Sequence, residues 1–420
     1  MADIKSNQAS SCVYIAKRAR LCALFVFWFF AAVSAFFVCG ADAAPIGGGK
    51  TNLSGVKEGW AWPVIVIQPP EGWESPAGES VKYALLAAER EISLSRGAVK
   101  GYEVTFMFSS VTMPSELAER LGTWRNMKSL AILSFGGQEM DIELKRLCAT
   151  QGPAVIFAGG ENLAIKDPGN GLPFPYLFAL DYTYFARSNA LAEFARQRAD
   201  GKSVAVLTDR LSEKLARGAQ RNADLLRKNG VDAFIYYLPA MTQNRFNAQI
   251  EEAVSSGAGV ITSWLDAISV LSVWRTLYLG SSEVTVCFSG EKHNILLDAN
   301  GLVLVDKDDV LNNSEDGKRV VVTKTLDFFG VSPRDPVLAA KAYALGKWAV
   351  KGFINSDGTG ALSVASALSR ADGIPLMDET LSVDPGTHRP KSRKFGVSEV
   401  RGRTYKLIAS VDVYSSEVVE

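Results

Sequence analysis

At 420 residues, with 47% hydrophobic and 21% charged residues, the chain suffices for two domains of ordinary size and carries no long stretch biased towards disorder. Lys+Arg and Asp+Glu are equal at 45 each, which argues against the basic field that a nucleic-acid partner needs. Of the five cysteines, Cys12, Cys22 and Cys39 fall in an N-terminal leader. Cys148 and Cys287 lie in unrelated segments without a C-x-x-C, so they read as buried thiols and not as a redox or metal site.

Lys17, Arg18 and Arg20 precede an apolar run from Leu21 to Val38, and Ala41-Asp42-Ala43 supplies small residues at signal-peptidase spacing. Residues 1–43 are therefore expected to be a secretory signal cleaved after Ala43. The run is also long enough to be kept as an N-terminal anchor. Both versions place the remainder outside the cytoplasm. The next stretch, Ala44 to Thr51, nearly matches a phosphate-binding loop. It lacks the first glycine and follows no strand, so residues 44–59 are read as a linker.

Val64 to Ile67 is a short apolar, β-branched run, as expected of a strand buried on both faces. Pro69 and Pro70 stop it, and a loop with Glu71, Gly72, Trp73 and Glu74 leads to a helix with Val81, Ala84, Leu85, Ala88 and Ile92 on one face. Strand, loop and helix then recur: Tyr102–Phe108 with a helix from Pro114, Ser129–Phe135 ending in Gly136-Gly137-Gln138, and Pro153–Gly160 ending in Gly159-Gly160. Tyr176–Leu180 is extended, and a helix follows through Arg198. A second series begins at Ser203–Asp209, with a helix over Leu211–Lys228 stopped by Asn229-Gly230. It continues as the strand DAFIYYL, a helix near Asn244–Ser255, the strand GVITSW, a helix over Asp266–Leu279, and the strand EVTVCFSG. Glu291 and a short helix close that strand, and Gly301–Val305 is a further extended crossing. Helices are expected over Pro336–Ile354 and Leu362–Arg370. KFGVSEV and YKLIASVDVY about a turn at Arg401-Gly402-Arg403 read as a hairpin.

Strands alternating with helices at this spacing imply parallel sheets covered on both faces. Two such series imply two α/β lobes, between which the chain crosses more than once.

Order and pattern together resemble the type I periplasmic solute-binding proteins of the branched-chain amino-acid (Leu/Ile/Val) family, from Trp60 to about Val413. The resemblance is carried by IQPPEGWESPAG in the first loop, where Glu71 replaces the usual serine. It is also carried by the glycine loops SFGG and FAGG, by TDRLSEKLARGAQRNADLLRKNGVDAF, by SWLDAISVLSVWRTLYLG and by SVDPGTHRPKSRKFGVSEVRG. It implies two Rossmann-like lobes joined by three hinge crossings near Phe178–Tyr182, Leu302–Lys307 and Arg393–Ser398. Residues 60–180 plus 306–395 would form one lobe, and 181–305 plus 396–420 the other. It further implies a monomeric receptor that encloses a small molecule between the lobes and delivers it to an ABC permease, with no cofactor and no nucleic acid.

In such a cleft the contacts come from loops after the strands. The family-matched positions are Trp73 in the first loop, Gly137 and Gln138 after the third strand, and Gly159, Gly160 and Glu161 after the fourth. Tyr184 follows the first crossing, and Leu211, Trp264, Asp266 and Glu291 come from the second lobe. Family members that bind amino acids usually hold the carboxylate with Ser and Thr hydroxyls in the two glycine loops. Here those positions are Gly137, Gln138, Gly160 and Glu161, and a carboxylate at Glu161 opposes a second one. The ligand class therefore extends from amino acids to aromatic or amide compounds.

Only two histidines exist, His293 and His388, with no H-E-x-x-H, no G-x-S-x-G elbow and no G-x-G-x-x-G at the strand ends. Catalysis is therefore not expected. A membrane-anchored sensory ectodomain of the same fold is the second reading, and a secreted enzyme the third.

Overall fold

The computed structural model describes residues 61–96, 99–129, 131–238, 243–280, 282–358 and 360–417. The expected signal, anchor and linker lie outside the described residues. Five parallel strands form the first sheet: β1 (Ala61–Ile67), β2 (Glu103–Ser109), β3 (Ala131–Ser134), β4 (Ala154–Phe157) and β5 (Leu177–Ala179), in the order β2-β1-β3-β4-β5. β3 and β4 are buried throughout, which is why they are apolar apart from Ser134 at the end of β3. Alternate residues of β1 point to opposite faces. Val64 and Val66 meet α1 (Pro76–Arg96) and a long later helix through Leu85, Tyr343, Trp348 and Phe353. Ile65 and Ile67 meet Leu117 and Leu121 of α2 (Leu117–Asn126) and Leu144 of α3 (Gly137–Cys148).

The chain crosses after β5 into α4 (Ala186–Ala199) and builds a second sheet. Its parallel strands are β6 (Ser203–Asp209), β7 (Ala233–Leu238), β8 (Ala258–Trp264), β9 (Thr285–Phe288) and β10 (Val303–Asp306). α4 and α5 (Glu213–Lys228) cover one face through Ala190, Leu191, Ala219 and Ala223. α6 (Gln243–Ser255) and α7 (Ala267–Leu279) cover the other through Ile250, Val270 and Val273.

After β10 the chain returns to the first lobe through α8 (Asp309–Asn313), α9 (Glu315–Phe329), α10 (Pro336–Asn355) and α11 (Ala361–Leu368). Two short ladders follow, β11 (Ile374–Leu376) with β12 (Glu379–Leu381), and β13 (Val383–Asp384) with β14 (Arg389–Pro390). The final hairpin, β15 (Ser392–Arg401) and β16 (Thr404–Tyr414), joins the second sheet antiparallel. Its order becomes β16-β15-β10-β9-β8-β6-β7. Gly402 and Arg403 both have positive φ, +57° and +63°, as a two-residue hairpin loop that matches strand twist requires. The molecule is thus two α/β lobes with parallel sheets joined by three crossings.

Several details depart from the sequence reading. The helix expected from Leu211 starts at Glu213, because Asp209 accepts from the amides of Leu211 and Ser212, and Ser212 caps the helix by accepting from Leu215. Asp266 is a cap and not a helical residue. The short helix after Glu291 is a 3₁₀ turn over Asn294–Asp298. α8 and α9 were not anticipated. Among the described residues, no helix is long and apolar enough to cross a membrane.

Candidate functional site

The C-terminal ends of β3 and β4 run into the two glycine loops. Gly137 opens α3 at φ +77° and Gly160 turns at φ +107°, where a Cβ would stand 2.8 Å from Cβ of Ala179 on the neighbouring strand. Only glycine fits both that conformation and that approach. The loops bring Gly137, Gln138, Gly159, Gly160 and Glu161 together around a cavity of about 220 Å³, shared with Asp141, Asn162, Leu163 and Lys307.

Beside this cavity the three crossings are tied by charge. Asp181 on the first crossing is 3% exposed and accepts from Lys307 of the second at 2.8 Å. Lys341 of α10 lies 3.4 Å from it, and Arg393 of β15 lies 3.5 Å away. Burial alone would raise the Asp181 carboxyl, but these three cations outweigh it and hold the group far below the usual carboxylate range. Lys341 also pairs with Asp308 at 2.9 Å. Arg389 donates to the carbonyls of Gly160, Leu163 and Asp181, fastening the third crossing to the second glycine loop.

Glu161 belongs to the same network. Its carboxylate lies 3.2 Å from Lys307 and 3.0 Å from Nε of Arg187 on α4. The Arg187 N–H is not aimed along that contact, which makes it an ion pair and not an aligned hydrogen bond. Arg187 donates instead to the carbonyl of Ser289 at 3.1 Å. The predicted opposition between Glu161 and a ligand carboxylate is therefore offset by two adjacent cations.

Tyr184 does not line the cavity; it packs half-buried against the core of the second lobe. The Lys214 ammonium of α5 sits 4.0 Å above its ring, and Trp264 meets it edge-on at 5.8 Å. Burial pushes its hydroxyl up to about 12. Lys214 also donates to Asn162 at 2.8 Å, so one side chain joins α5 to the second glycine loop of the other lobe.

The remaining expected contacts are placed elsewhere. Trp73 donates its indole N–H to the carbonyl of Ser109 at 2.7 Å and packs edge-on against Phe108, within its own lobe. Trp264 is fully buried against Gly218, where a Cβ would come within 2.4 Å of its ring; it is core beneath Tyr184 and not cleft surface. The Asp266 carboxylate is taken up by the amides of Ile268 and Ser269 and the hydroxyl of Ser269 at the start of α7. Leu211 is 81% exposed in the loop after β6. Glu291 is exposed in the loop after β9 and does not line the cavity.

The sequence reading missed Asp141, Asn162, Arg187, Lys214 and Lys307. One signal was available for some of them. An acidic residue in a half-buried glycine loop calls for a cation, and Lys307 ends the second predicted crossing while Arg187 follows the first by five residues.

No protein-family model matches the sequence, and no curated protein matches it. Solved structures do match. A branched-chain amino acid ABC transporter periplasmic ligand-binding protein from Burkholderia xenovorans aligns at 14% identity over 85% of this chain and 96% of that one, with a TM-score of 0.61. An ABC transporter substrate-binding protein from Desulfitobacterium hafniense, solved with Leu, aligns at 14% identity over 82% and 99%, with a TM-score of 0.56. A solute-binding protein from Rhodopseudomonas palustris, solved with 4-hydroxybenzoate, aligns at 15% identity over 84% and 98%, with a TM-score of 0.53. The chain therefore has the two-lobed periplasmic-binding-protein type I fold.

Proposed function

We propose that this protein is an extracytoplasmic solute receptor that captures a small molecule between its lobes and hands it to an ABC permease in the membrane. One observation carries this reading: the strand-end loops Gly137-Gln138 and Gly159-Gly160-Glu161 meet Lys307 of the second crossing around one cavity. Its volume lies below the roughly 300–1,000 Å³ usual for ligand pockets, so the solute is of amino-acid size. Amino acids, amino-acid-like amides and small aromatic compounds all fit that size. The ligands of the solved neighbours, Leu and 4-hydroxybenzoate, fall in the same range. Gly137, Gln138, Gly159, Gly160, Glu161 and Tyr184 are the proposed contacts. The lobe limits 60–180 plus 306–395 and 181–305 plus 396–420, export by residues 1–43, and a monomeric state without nucleic acid belong to the same proposal.

The histidines support a carrier over a catalyst. His388 is buried, stacked on Phe178 with Nδ1 at the carbonyl of Leu177, and His293 is exposed beside Tyr405. Neither lines the cavity, and no metal-holding cluster of His, Cys, Asp and Glu exists among the described residues. A thermal-shift screen of amino acids, amides and aromatic acids tests the reading. A raised melting temperature with one solute class supports it. A screen in which no small molecule shifts the protein, while a protein partner does, overturns it.

A further inference from the structure

Three charged side chains line the cavity: Asp141, Glu161 and Lys307. Two of them are already balanced. Lys307 lies between Glu161 and Asp181, and Glu161 lies between Lys307 and Arg187. Among the described residues no cation pairs with Asp141: on its own helix Lys145 lies over the Phe174 ring and Arg146 pairs with Glu143. Asp141 stands in the first turns of α3, 6% exposed, and accepts a 2.5 Å hydrogen bond on Oδ1 from Ser134 at the end of β3. β3 and β4, against which α3 packs, bring it no titratable side chain. On α2 and the 3₁₀ turn before it, Glu119 and Arg120 are exposed, Glu116 accepts from the amide of Thr112, and Arg125 is taken up by the carbonyls of Leu147 and Gly152. A carboxyl kept out of water without a counter-charge is costly, unless a ligand supplies what the protein withholds.

We propose that Asp141 selects the solute, by accepting from a protonated amine or a comparably strong N–H donor that enters beside the Gly137 loop. This rests on the receptor reading and deepens it. A hydroxyl strap from Ser134 leaves the carboxyl further acceptor capacity. With Asp141 ionised, the lining carries one more negative than positive charge, which a cationic group on the solute completes. Burial holds the carboxyl at about 7, despite the lowering bond from Ser134. Amine binding therefore requires proton loss and strengthens as pH rises through neutrality.

The test compares benzylamine, benzamide and benzoate, which share a ring and differ in head group, together with L-leucine. Binding is read by thermal shift and calorimetry on wild type, Asp141→Asn and Ser134→Ala. Asp141→Asn keeps an acceptor for Ser134 but loses the charge, whereas Ser134→Ala loses the strap and keeps the carboxyl, with its ionisation moved to higher pH, so the two are compared at about pH 8. The expected order on wild type is benzylamine above benzamide above benzoate. Asp141→Asn should weaken benzylamine by about tenfold or more, as loss of a charged hydrogen-bond partner does. Ser134→Ala should retain the preference, and benzylamine affinity should fall on going from about pH 8 to about pH 6 in wild type but not in Asp141→Asn. Preference for benzoate, or equal benzylamine affinity in Asp141→Asn, overturns the assignment to Asp141 and leaves the receptor reading standing. A panel in which L-leucine and all three ring compounds leave wild type unshifted overturns the assignment to Asp141, and the receptor reading falls with it only if the wider screen of amino acids, amides and aromatic acids is silent while a protein partner shifts the melting temperature.

Discussion

Asp181 and Asp141 are both buried carboxyls near the cleft, and their surroundings push them in opposite directions. Asp181 faces Lys307, Lys341 and Arg393, so its folded carboxyl is depressed. It contributes stability above the unfolded carboxylate range, and that contribution is lost as pH falls. Asp181→Asn leaves three cations short of their shared anion and should destabilise the fold by about 3–5 kcal/mol in urea unfolding near neutral pH. A loss below about 1 kcal/mol would mean that the cations find other partners. Asp141 is raised, so its sign is reversed. Its contribution is intact below the unfolded value and is lost progressively as pH rises from about 4 to about 7. Asp141→Asn should therefore gain on the order of 2–4 kcal/mol over wild type at pH 8, with the gain shrinking towards pH 4. A gain independent of pH would show that ionisation is not its origin. Trp264 completes the residue scale. Its Nε1 is buried without a hydrogen-bond partner, so Trp264→Phe sacrifices no bond and should cost less than about 1.5 kcal/mol. Trp264→Ala opens a core cavity and should cost about 3–5 kcal/mol by the same measurement.

At the scale of elements, what could be read from the sequence depended on how local its cause was. β1, β4 and the apolar stretches of β3 and β6 were legible because a strand covered on both faces leaves a continuous apolar run. The glycine loops were legible because Gly137 and Gly160 answer to their own backbone conformation. α9 was not legible from its apolar pattern. It buries only Val321 and Thr325 among its larger residues, and its start at Ser314, which caps the amide of Gly317 ahead of Glu315 and Asp316, is a subtler signal. The charge network was out of reach for a plainer reason: Glu161 and Lys307 are separated by 146 positions, and Asp181 and Arg393 by 212. Asp266 shows how a family position can mislead when local chemistry claims the side chain first. As the cap of α7 it satisfies two orphan amides, so Asp266→Ala should cost about 1 kcal/mol in chemical unfolding and leave solute affinity unchanged. A large loss of affinity at equal stability would instead return Asp266 to the site.

For the whole molecule, the question is what sets the distance between the lobes when no solute is bound. Among the described residues, Glu161 with Arg187 and Asn162 with Lys214 are side-chain ties across the cleft. They differ in what their loss leaves behind. Arg187 is buried, and removing it strands part of the Glu161 charge on Lys307 alone, so its effect mixes opening with destabilisation. Lys214 and Asn162 are exposed, so removing either leaves no buried group without a partner. Removing Lys214 therefore reports on lobe position, with the loss of its contact to the Tyr184 ring as the one other effect on the contacts described above. An exposed hydrogen bond of this kind is worth about 0.5–1.5 kcal/mol, which shifts a closed-to-open ratio by roughly twofold to tenfold. Lys214→Ala should raise the radius of gyration of the solute-free protein in X-ray scattering while leaving its melting temperature nearly unchanged. A saturating solute should return it to the compact value of the wild type, because the solute then supplies the interlobe contacts. An unchanged radius would place the control of closure in the buried charges around Asp181 rather than in the rim of the cleft.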